Sequence, residues 1–468
     1  MKKPQFVVIA FGIFFLFLIQ MAGSLIESIY ILDLMNTSLD EKALGLLFFF
    51  SPVLLFFYPK KQPLQTVWIL FGLLFLARGL TPYLNTLGRM LASGIGTGTV
   101  LMLFPFLMTA KAKDDSRCCP SLWISAGLAL AIVFSVFLRT MNYGLDYSLL
   151  PEGGWVGWGL GAALGYLLTL LDWTNSEKVQ TDSKPVTLTV TGIFLVVALA
   201  CFAFSAPTVI ARWTEGDYRL IIMTVSLLAV SWVGVSLGKS RWIENITPTL
   251  LLIWNSLFTL SLIMTILAHR VPFPQTPDSP FVVVGAPTWL QQLPLVLLLL
   301  LFPVIFLDLL VFSNRIRQAN PRPSDLVPGM LLGSLILVVL VFMLIFTNVW
   351  GYVEPVSPWF RNKFWLPFLL MAGPIALLIG RKGLSTLDDQ PEPNNTFSLG
   401  WLAFLLIIFL GTAGSALYTT RVQTFEPRNN SFVVMTYNIQ QANDDFGERS
   451  YKEQLALIRE VAPDILAL

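Results

Sequence analysis

The sequence has very little charge, histidine or cysteine for its length. Of its 468 residues, 12% are charged, and His269 is its one histidine. A single histidine excludes histidine-rich metal sites, and the three cysteines (Cys118, Cys119 and Cys201) include an adjacent pair and make no disulfide framework. The net charge of +2 provides no basic surface of the kind that attracts nucleic acid. This shortage of polar groups excludes a soluble enzyme, a disordered chain and a nucleic-acid-binding domain.

The sequence is instead rich in apolar side chains. Hydrophobic residues make up 55% of the chain, with 36 Phe and 14 Trp, and the mean hydropathy is +0.71. A helix that crosses a bilayer needs roughly 20 mainly apolar residues, and about thirteen runs approach that length. They are 6–32, 43–58, 65–84, 88–110, 121–142, 155–173, 186–211, 218–238, 247–268, 288–313, 328–350, 363–380 and 399–419. We therefore predict an all-α polytopic membrane bundle.

Two polar stretches divide these runs into groups of six, six and one. The predicted parts are a first six-helix half (1–173), a linker (174–185), a second six-helix half (186–380), a linker (381–398), a thirteenth helix (399–419) and a C-terminal segment (430–468). Two six-helix halves are the arrangement of many secondary transporters.

The distribution of Lys and Arg predicts the orientation of this bundle. Placing Lys2 and Lys3 in the cytoplasm gives cytoplasmic loops that hold more Lys and Arg than the opposite loops, as the positive-inside rule requires. Both linkers are then cytoplasmic. Because the number of spans is odd, the segment after residue 419 lies outside the cytoplasm.

Three ionisable residues within the apolar runs are candidate substrate-binding residues. They are Glu27, Arg78 and Asp308. Burying a charge in lipid is costly, so such residues often mark a functional site. Glu27 and Arg78 fall near the predicted outer ends of their helices, where a cluster could bind an anionic lipid head group. The alternative for Arg78 is that its long stem only reaches the interface, and a structural role for the two carboxylates stays open.

Glycines mark two of the predicted helices. Gly157, Gly161 and Gly165 lie four residues apart, on one helix face, and predict a groove for close helix packing. The stretch Gly88–Gly98, with an Arg before a run of small residues, resembles the fourth helix of the major facilitator superfamily. That family's charged loop between its second and third helices is replaced here by 59–61. The simpler interpretation is that the glycines of 88–98 also serve close packing.

The C-terminal segment has a different pattern. Residues 431–439 are rich in β-formers and predict a strand. Ser450 and Glu453 have the spacing of a capping box before an amphipathic helix, which Pro463 ends. Residues 464–468 predict a second strand. A strand, a helix and a strand in this order predict the βαβ start of an α/β domain.

The two predicted strands resemble the start of an endonuclease/exonuclease/phosphatase domain, the fold of DNase I. The likeness rests on Val434-Met-Thr-Tyr-Asn-Ile439 and Pro463-Asp-Ile-Leu-Ala-Leu468. It implies that Asn438 is a catalytic and metal-site residue. It also implies Mg²⁺ or another divalent cation, whose further ligand, the Glu of a Gln-Glu pair, would follow Leu468. The resemblance therefore assigns only part of a phosphodiesterase site to these residues.

A many-helix bundle followed by such a domain resembles the membrane proteins that remodel the lipid of GPI anchors. This resemblance implies a metal-dependent phosphodiesterase-like hydrolase of the extracytoplasmic side, with membrane lipids and a lipid-linked phosphate ester as partners. Nothing in the sequence indicates a specific nucleic acid. Two alternatives remain: a transporter of the major facilitator type with an appended domain, and a nuclease anchored by the bundle.

Overall fold

The protein is a bundle of membrane-spanning helices. The structure, a computed structural model, describes residues 3–34, 39–57, 63–112, 121–172, 186–238, 243, 246–271, 285–348, 357–380, 398–421, 432–439, 442–444 and 447–467. Within these ranges, ten helices are long and apolar enough to cross a membrane, and two shorter apolar helices accompany them. The predicted linker 174–185 and nearly all of 381–398 lie outside the described residues.

The chain begins with six helical regions. They are α1 (Lys3–Leu34), α2 (Leu39–Leu47) continued by a 3-10 helix (Phe48–Phe57), α3 (Pro63–Leu80), α4 (Thr86–Thr109), α5 (Ser121–Thr140) and α6 (Gly154–Leu168). Helix α6 has 15 residues, fewer than the roughly 20 of a full span. The two-residue strands β1 (Lys111–Ala112) and β2 (Leu171–Asp172) pair antiparallel and bring the ends of α4 and α6 together.

Further helices follow along the chain. They are α7 (Thr187–Leu199) with a π-helical turn (Ala200–Phe204), α8 (Pro207–Thr214), α9 (Tyr218–Leu237), α10 (Pro248–Ala268), α11 (Trp289–Leu301), α12 (Val304–Ala319), α13 (Val327–Asn348), α14 (Ser357–Phe360), α15 (Trp365–Gly380) and α16 (Leu399–Thr419). Two of the long apolar runs are interrupted at proline, since α8 begins at Pro207 and Pro303 separates α11 from α12. Proline lacks an N–H and clashes with the preceding turn, so it ends or bends a helix.

The helix contacts of α1–α6 recur among α7–α15. Helix α1 packs on α4, α5 and α6, and α7 packs in the same way on α12, α13 and α15. Helix α3 packs on α4 and α6, as α10 packs on α11 and α15. Between the two sets, α5 contacts α9 and α12, and the 3-10 helix 48–57 contacts α13. Helix α16 lies outside, against α5 and α9. Accordingly, 28% of the residues in its most apolar stretch are buried, against 83% for α1, which lies at the centre of the bundle.

The predicted glycine groove is confirmed. A Cβ added at Gly161 or Gly165 would lie 2.5 Å from the Phe75 ring or 2.7 Å from the Phe71 ring, both in α3. Only glycine therefore lets α3 approach α6 this closely. Gly94, Gly96 and Gly98 serve the same purpose, because a Cβ added there would meet the side chains of Phe48, Met21 and Ser51, respectively.

The C-terminal segment forms a strand, a helix and a strand. These are β3 (Val434–Thr436), α17 (Tyr451–Val461) and β4 (Ile465–Ala467), and β3 pairs parallel with β4. The predicted capping box is wrong. The Ser450 side chain makes no capping hydrogen bond and instead accepts from Gln454 Nε2 at 2.8 Å.

Candidate functional site

A cavity of about 590 Å³ opens between the two sets of helices. This volume is within the range of small-molecule sites, which is roughly 300–1,000 Å³. Residues of α1, α5, the π-turn, α8, α10 and the α13–α15 region line it. Its walls are largely apolar and aromatic, and include Ile26, Phe202, Trp213, Phe364 and Phe368.

A narrower cavity of about 60 Å³ extends this space along α1. The two cavities share Ile19, Ile26, Cys201 and Phe202. All residues that line the narrow part are apolar, and it reaches the Phe14 ring, three turns of α1 before Ile26. The combined space is therefore wide at one end and a purely apolar slot at the other.

Charged and polar residues are confined to the wide part. Glu27, Arg139, His269 and Arg270 line it, and we call these four residues the rim. The narrow slot has no charged side chain among its lining residues. A cavity with an apolar interior and a charged rim matches an amphiphile, which has an apolar tail and a polar head group.

Two nitrogen atoms of the rim are buried and make no hydrogen bond to the described protein atoms. They are Nε of Arg139 and Nε2 of His269. His269 Nδ1 lies 2.8 Å from the Thr265 carbonyl oxygen. A carbonyl only accepts, so Nδ1 carries the hydrogen, and Nε2 is left to accept from a hydroxyl or, when protonated, to donate to an anion. Buried polar atoms are nearly always paired, so these two nitrogens are candidates for binding a polar group of a ligand.

The C-terminal segment is held against the bundle beside this rim. Arg449 Nη2 lies 3.9 Å from Glu27 Oε1, and Arg449 Nη1 donates to the Leu149 carbonyl at 3.1 Å. The backbone N–H of Thr86 donates to Glu448 Oε1 at 3.1 Å, and the Thr86 hydroxyl donates to the Gly447 carbonyl. These contacts join 447–449 to α1, to the start of α4 and to the loop before α6.

A second ion pair lies further out. Lys452 Nζ donates to Glu152 Oε1 at 2.8 Å, and the Tyr451 hydroxyl approaches the same oxygen at 3.4 Å. The hydrogen bond from Lys452 lowers the pKa of the Glu152 carboxyl, and the same pair raises the pKa of Lys452. Both side chains are exposed, so this pair orients the segment more than it stabilises the fold.

The predicted site residue Arg78 lies outside the two cavities, in a buried polar network. Its Nε donates to Gln20 Oε1 at 2.8 Å, and its Nη2 donates to Ser148 Oγ at 2.7 Å. Gln20 and Ser148 in turn donate to the Asp146 carboxylate at 2.9 and 2.7 Å. The guanidinium thereby links α1, α3 and the loop after α5. A buried charge is tolerated where it is paired in this way.

The predicted site residue Asp308 also lies outside the lining of both cavities. It is buried in α12 at 1% exposure, and Oδ1 accepts from Asn255 Nδ2 of α10 at 2.8 Å. Of the three sequence-predicted membrane residues, Glu27 alone is placed at the cavity. The structure therefore does not bring Glu27, Arg78 and Asp308 together.

Asn438 follows strand β3 and its side chain is exposed. Among the described residues, no group of three or more His, Cys, Asp and Glu side chains is close enough to hold a metal ion. A hard cation such as Mg²⁺ needs several oxygen ligands. The residues present therefore do not by themselves fit the divalent cation that the family resemblance implies.

Sequence reasoning missed the partners of the charged residues. Gln20 is a polar residue in the middle of an otherwise apolar run, and that position was a signal that it pairs with a buried charge. Arg449 carried no such signal, because it lies in a polar segment and 422 positions after Glu27 in the chain.

No protein-family model matches this chain, and none of the curated proteins matches it. The bundle of long apolar helices defines it as a multi-pass membrane protein.

Proposed function

We propose that this protein binds a membrane lipid with an anionic head group, in the manner of the proteins that remodel GPI-anchor lipids. The observation behind the proposal is the cavity with an apolar slot at one end and, at the other, the rim, in which Arg139, His269 and Arg270 outnumber the single acid Glu27. The slot takes the end of an acyl chain, and the rim offers Arg139 Nε and His269 Nε2 as hydrogen-bonding atoms for a phosphate.

Selectivity in such a site comes from the head group. Lipid tails in a bilayer are already in apolar surroundings, so moving a chain into the slot gains little hydrophobic free energy. A phosphate at the rim gains charge-assisted hydrogen bonds, which are roughly twice as strong as neutral ones. We therefore expect discrimination among lipids of equal chain length.

The C-terminal segment supports the enzymatic part of the proposal. Its parallel β3–β4 pair with α17 between is the expected start of an endonuclease/exonuclease/phosphatase domain. In the proposed function, Asn438 belongs to the phosphodiesterase site of this domain. The contacts of 447–449 hold this segment beside the rim, where a lipid phosphate would be presented.

The proposed architecture has thirteen spans, as two six-helix halves and one added helix, with the N-terminus in the cytoplasm. The recurrence of helix contacts between α1–α6 and α7–α15 supports the two halves. The same recurrence favours the second candidate, a transporter of the major facilitator type, since such halves enclose a central site. Against ion-coupled transport, Asp308 is paired with Asn255 and lines neither cavity.

The test is to fill the cavity. Gly23 lines it, and a Cβ added there meets no atom within 4 Å, so Gly23→Phe places a ring in the cavity without a backbone clash. Gly72 of α3 has the same freedom but lies away from the cavity, so Gly72→Phe is the matched control.

Binding of fluorescent phosphatidylinositol to purified protein in detergent micelles is the measurement. We expect Gly23→Phe to weaken binding about tenfold, the cost of overfilling a site, and Gly72→Phe to leave it unchanged. Equal binding by wild type and Gly23→Phe, at equal thermal stability, would overturn the proposal.

A further inference from the structure

Glu27 is the one acidic side chain among the residues that line the large cavity. Its side chain is 45% exposed, and the other charged residues that line the cavity, Arg139 and Arg270, are cationic. An unpaired carboxylate at this position repels an anionic head group, because like charges across a partly desolvated site interact unfavourably. The pairing of Glu27 therefore changes the net charge that the cavity presents to a ligand.

The partner of Glu27 comes from the C-terminal segment. Arg449 lies 3.9 Å from it and is fixed by the hydrogen bond of its Nη1 to the Leu149 carbonyl. Arg89, at 4% exposure, and Glu448 complete a cluster of two acidic and two basic side chains that interact electrostatically. The cluster is neutral, and removing the Arg449 charge alone leaves an excess negative charge beside the cavity.

We propose that Arg449 is a specificity-determining residue for the cavity: by neutralising Glu27, the C-terminal segment makes the rim selective for anionic amphiphiles. This inference rests on the proposed function of the cavity as a lipid site. It adds that the bundle does not present a complete binding site without the segment that contains 447–449.

The inference is tested with the full chain in detergent micelles and two fluorescent probes, phosphatidylinositol and zwitterionic phosphatidylcholine. We expect Arg449→Ala to weaken binding of the anionic probe about fivefold, the size of one partly exposed charge pair. Binding of the zwitterionic probe stays the same. The double variant Glu27→Gln/Arg449→Ala regains the affinity for the anionic probe, because the excess negative charge is gone.

Lys452→Ala is the matched control. It breaks the other ion pair of the segment, to Glu152, which does not line the cavity. We expect it to bind both probes as the wild type does. Unchanged binding of the anionic probe to Arg449→Ala overturns the inference, as does an equal loss for both probes or a double variant that stays weak. A wild-type protein that binds neither probe overturns the proposed function itself.

Discussion

Substituting Gly157 by alanine tests how tightly the buried guanidinium of Arg78 is held. An added Cβ at Gly157 would lie 2.5 Å from Arg78 Nη1 and 2.9 Å from Cζ. The guanidinium cannot withdraw freely, because its Nε is hydrogen-bonded to Gln20 and its Nη2 to Ser148. The added methyl group therefore either overpacks the α3–α6 contact or breaks one of these hydrogen bonds.

The expected magnitude follows from these two costs and one gain. Overpacking costs about 1–3 kcal/mol, and a lost hydrogen bond to a charged group costs about 1.5–3 kcal/mol. Replacing glycine by alanine within a helix returns about 1 kcal/mol. Either cost, less this gain, leaves the Gly157→Ala variant with a loss of about 0.5–2 kcal/mol of unfolding free energy.

The control lies half a turn away on the same helix. A Cβ at Gly159 meets no atom within 4 Å, so Gly159→Ala should be neutral or should stabilise by up to about 1 kcal/mol. Unfolding of both variants in detergent micelles, followed by circular dichroism, gives the comparison. Equal stability of Gly157→Ala and Gly159→Ala would show that the guanidinium of Arg78 is free to withdraw.

Two further predictions concern the buried carboxylate and the outer ion pair. Asp308→Asn keeps an acceptor for Asn255 Nδ2, so we expect unchanged lipid binding and no loss of stability, whereas Asp308→Leu loses about 1–3 kcal/mol of unfolding free energy in the same assay. Lost binding by Asp308→Asn at full stability would instead return Asp308 to the ligand site. Glu152 has a lowered pKa, so its contribution to docking is complete above its ordinary pKa of about 4.3 and disappears as pH falls through the lowered value. Lys452 has a raised pKa, so its contribution is complete below about pH 10.4 and disappears as pH rises through the raised value. The distance between spin labels on α6 and α17 should therefore stay constant between about pH 5 and 10 and increase outside that range. A Lys452→Ala variant that shows the same pH profile would contradict this assignment.

The sequence predicted the helices well because length and apolarity are local properties. Each apolar run contains a helix, and the spacing of Gly157, Gly161 and Gly165 correctly indicated a packing groove. The interruption of a Leu-rich run at Pro303 was also open to prediction, since proline ends helices for steric reasons. The partners of buried charges were not, because side-chain pairs between distant segments leave no spacing signal.

In the candidate site, too, the sequence predicted local features but not contacts between distant segments. The position of Glu27 near one end of the first helix was predicted, but its link to Arg449 joins two ends of the chain through the arrangement of α1, α4 and the loop before α6. The sequence made Asp308 an equally good candidate, and only the three-dimensional packing shows that Asn255 donates a hydrogen bond to one of its oxygens. Ionisable residues in apolar runs therefore identify positions of importance without distinguishing a binding role from a structural one.

The attachment of 447–452 has a mechanical consequence. The described contacts of this segment with the bundle are made to α1, α4 and the loop between α5 and α6, whereas His269 and Arg270 of the rim belong to the α10 region. If the two sets of helices rock against each other, the C-terminal segment with Asn438 moves together with α1–α6. The distance from Asn438 to Glu27 then stays constant, whereas the distance from Asn438 to His269 changes and measures the motion.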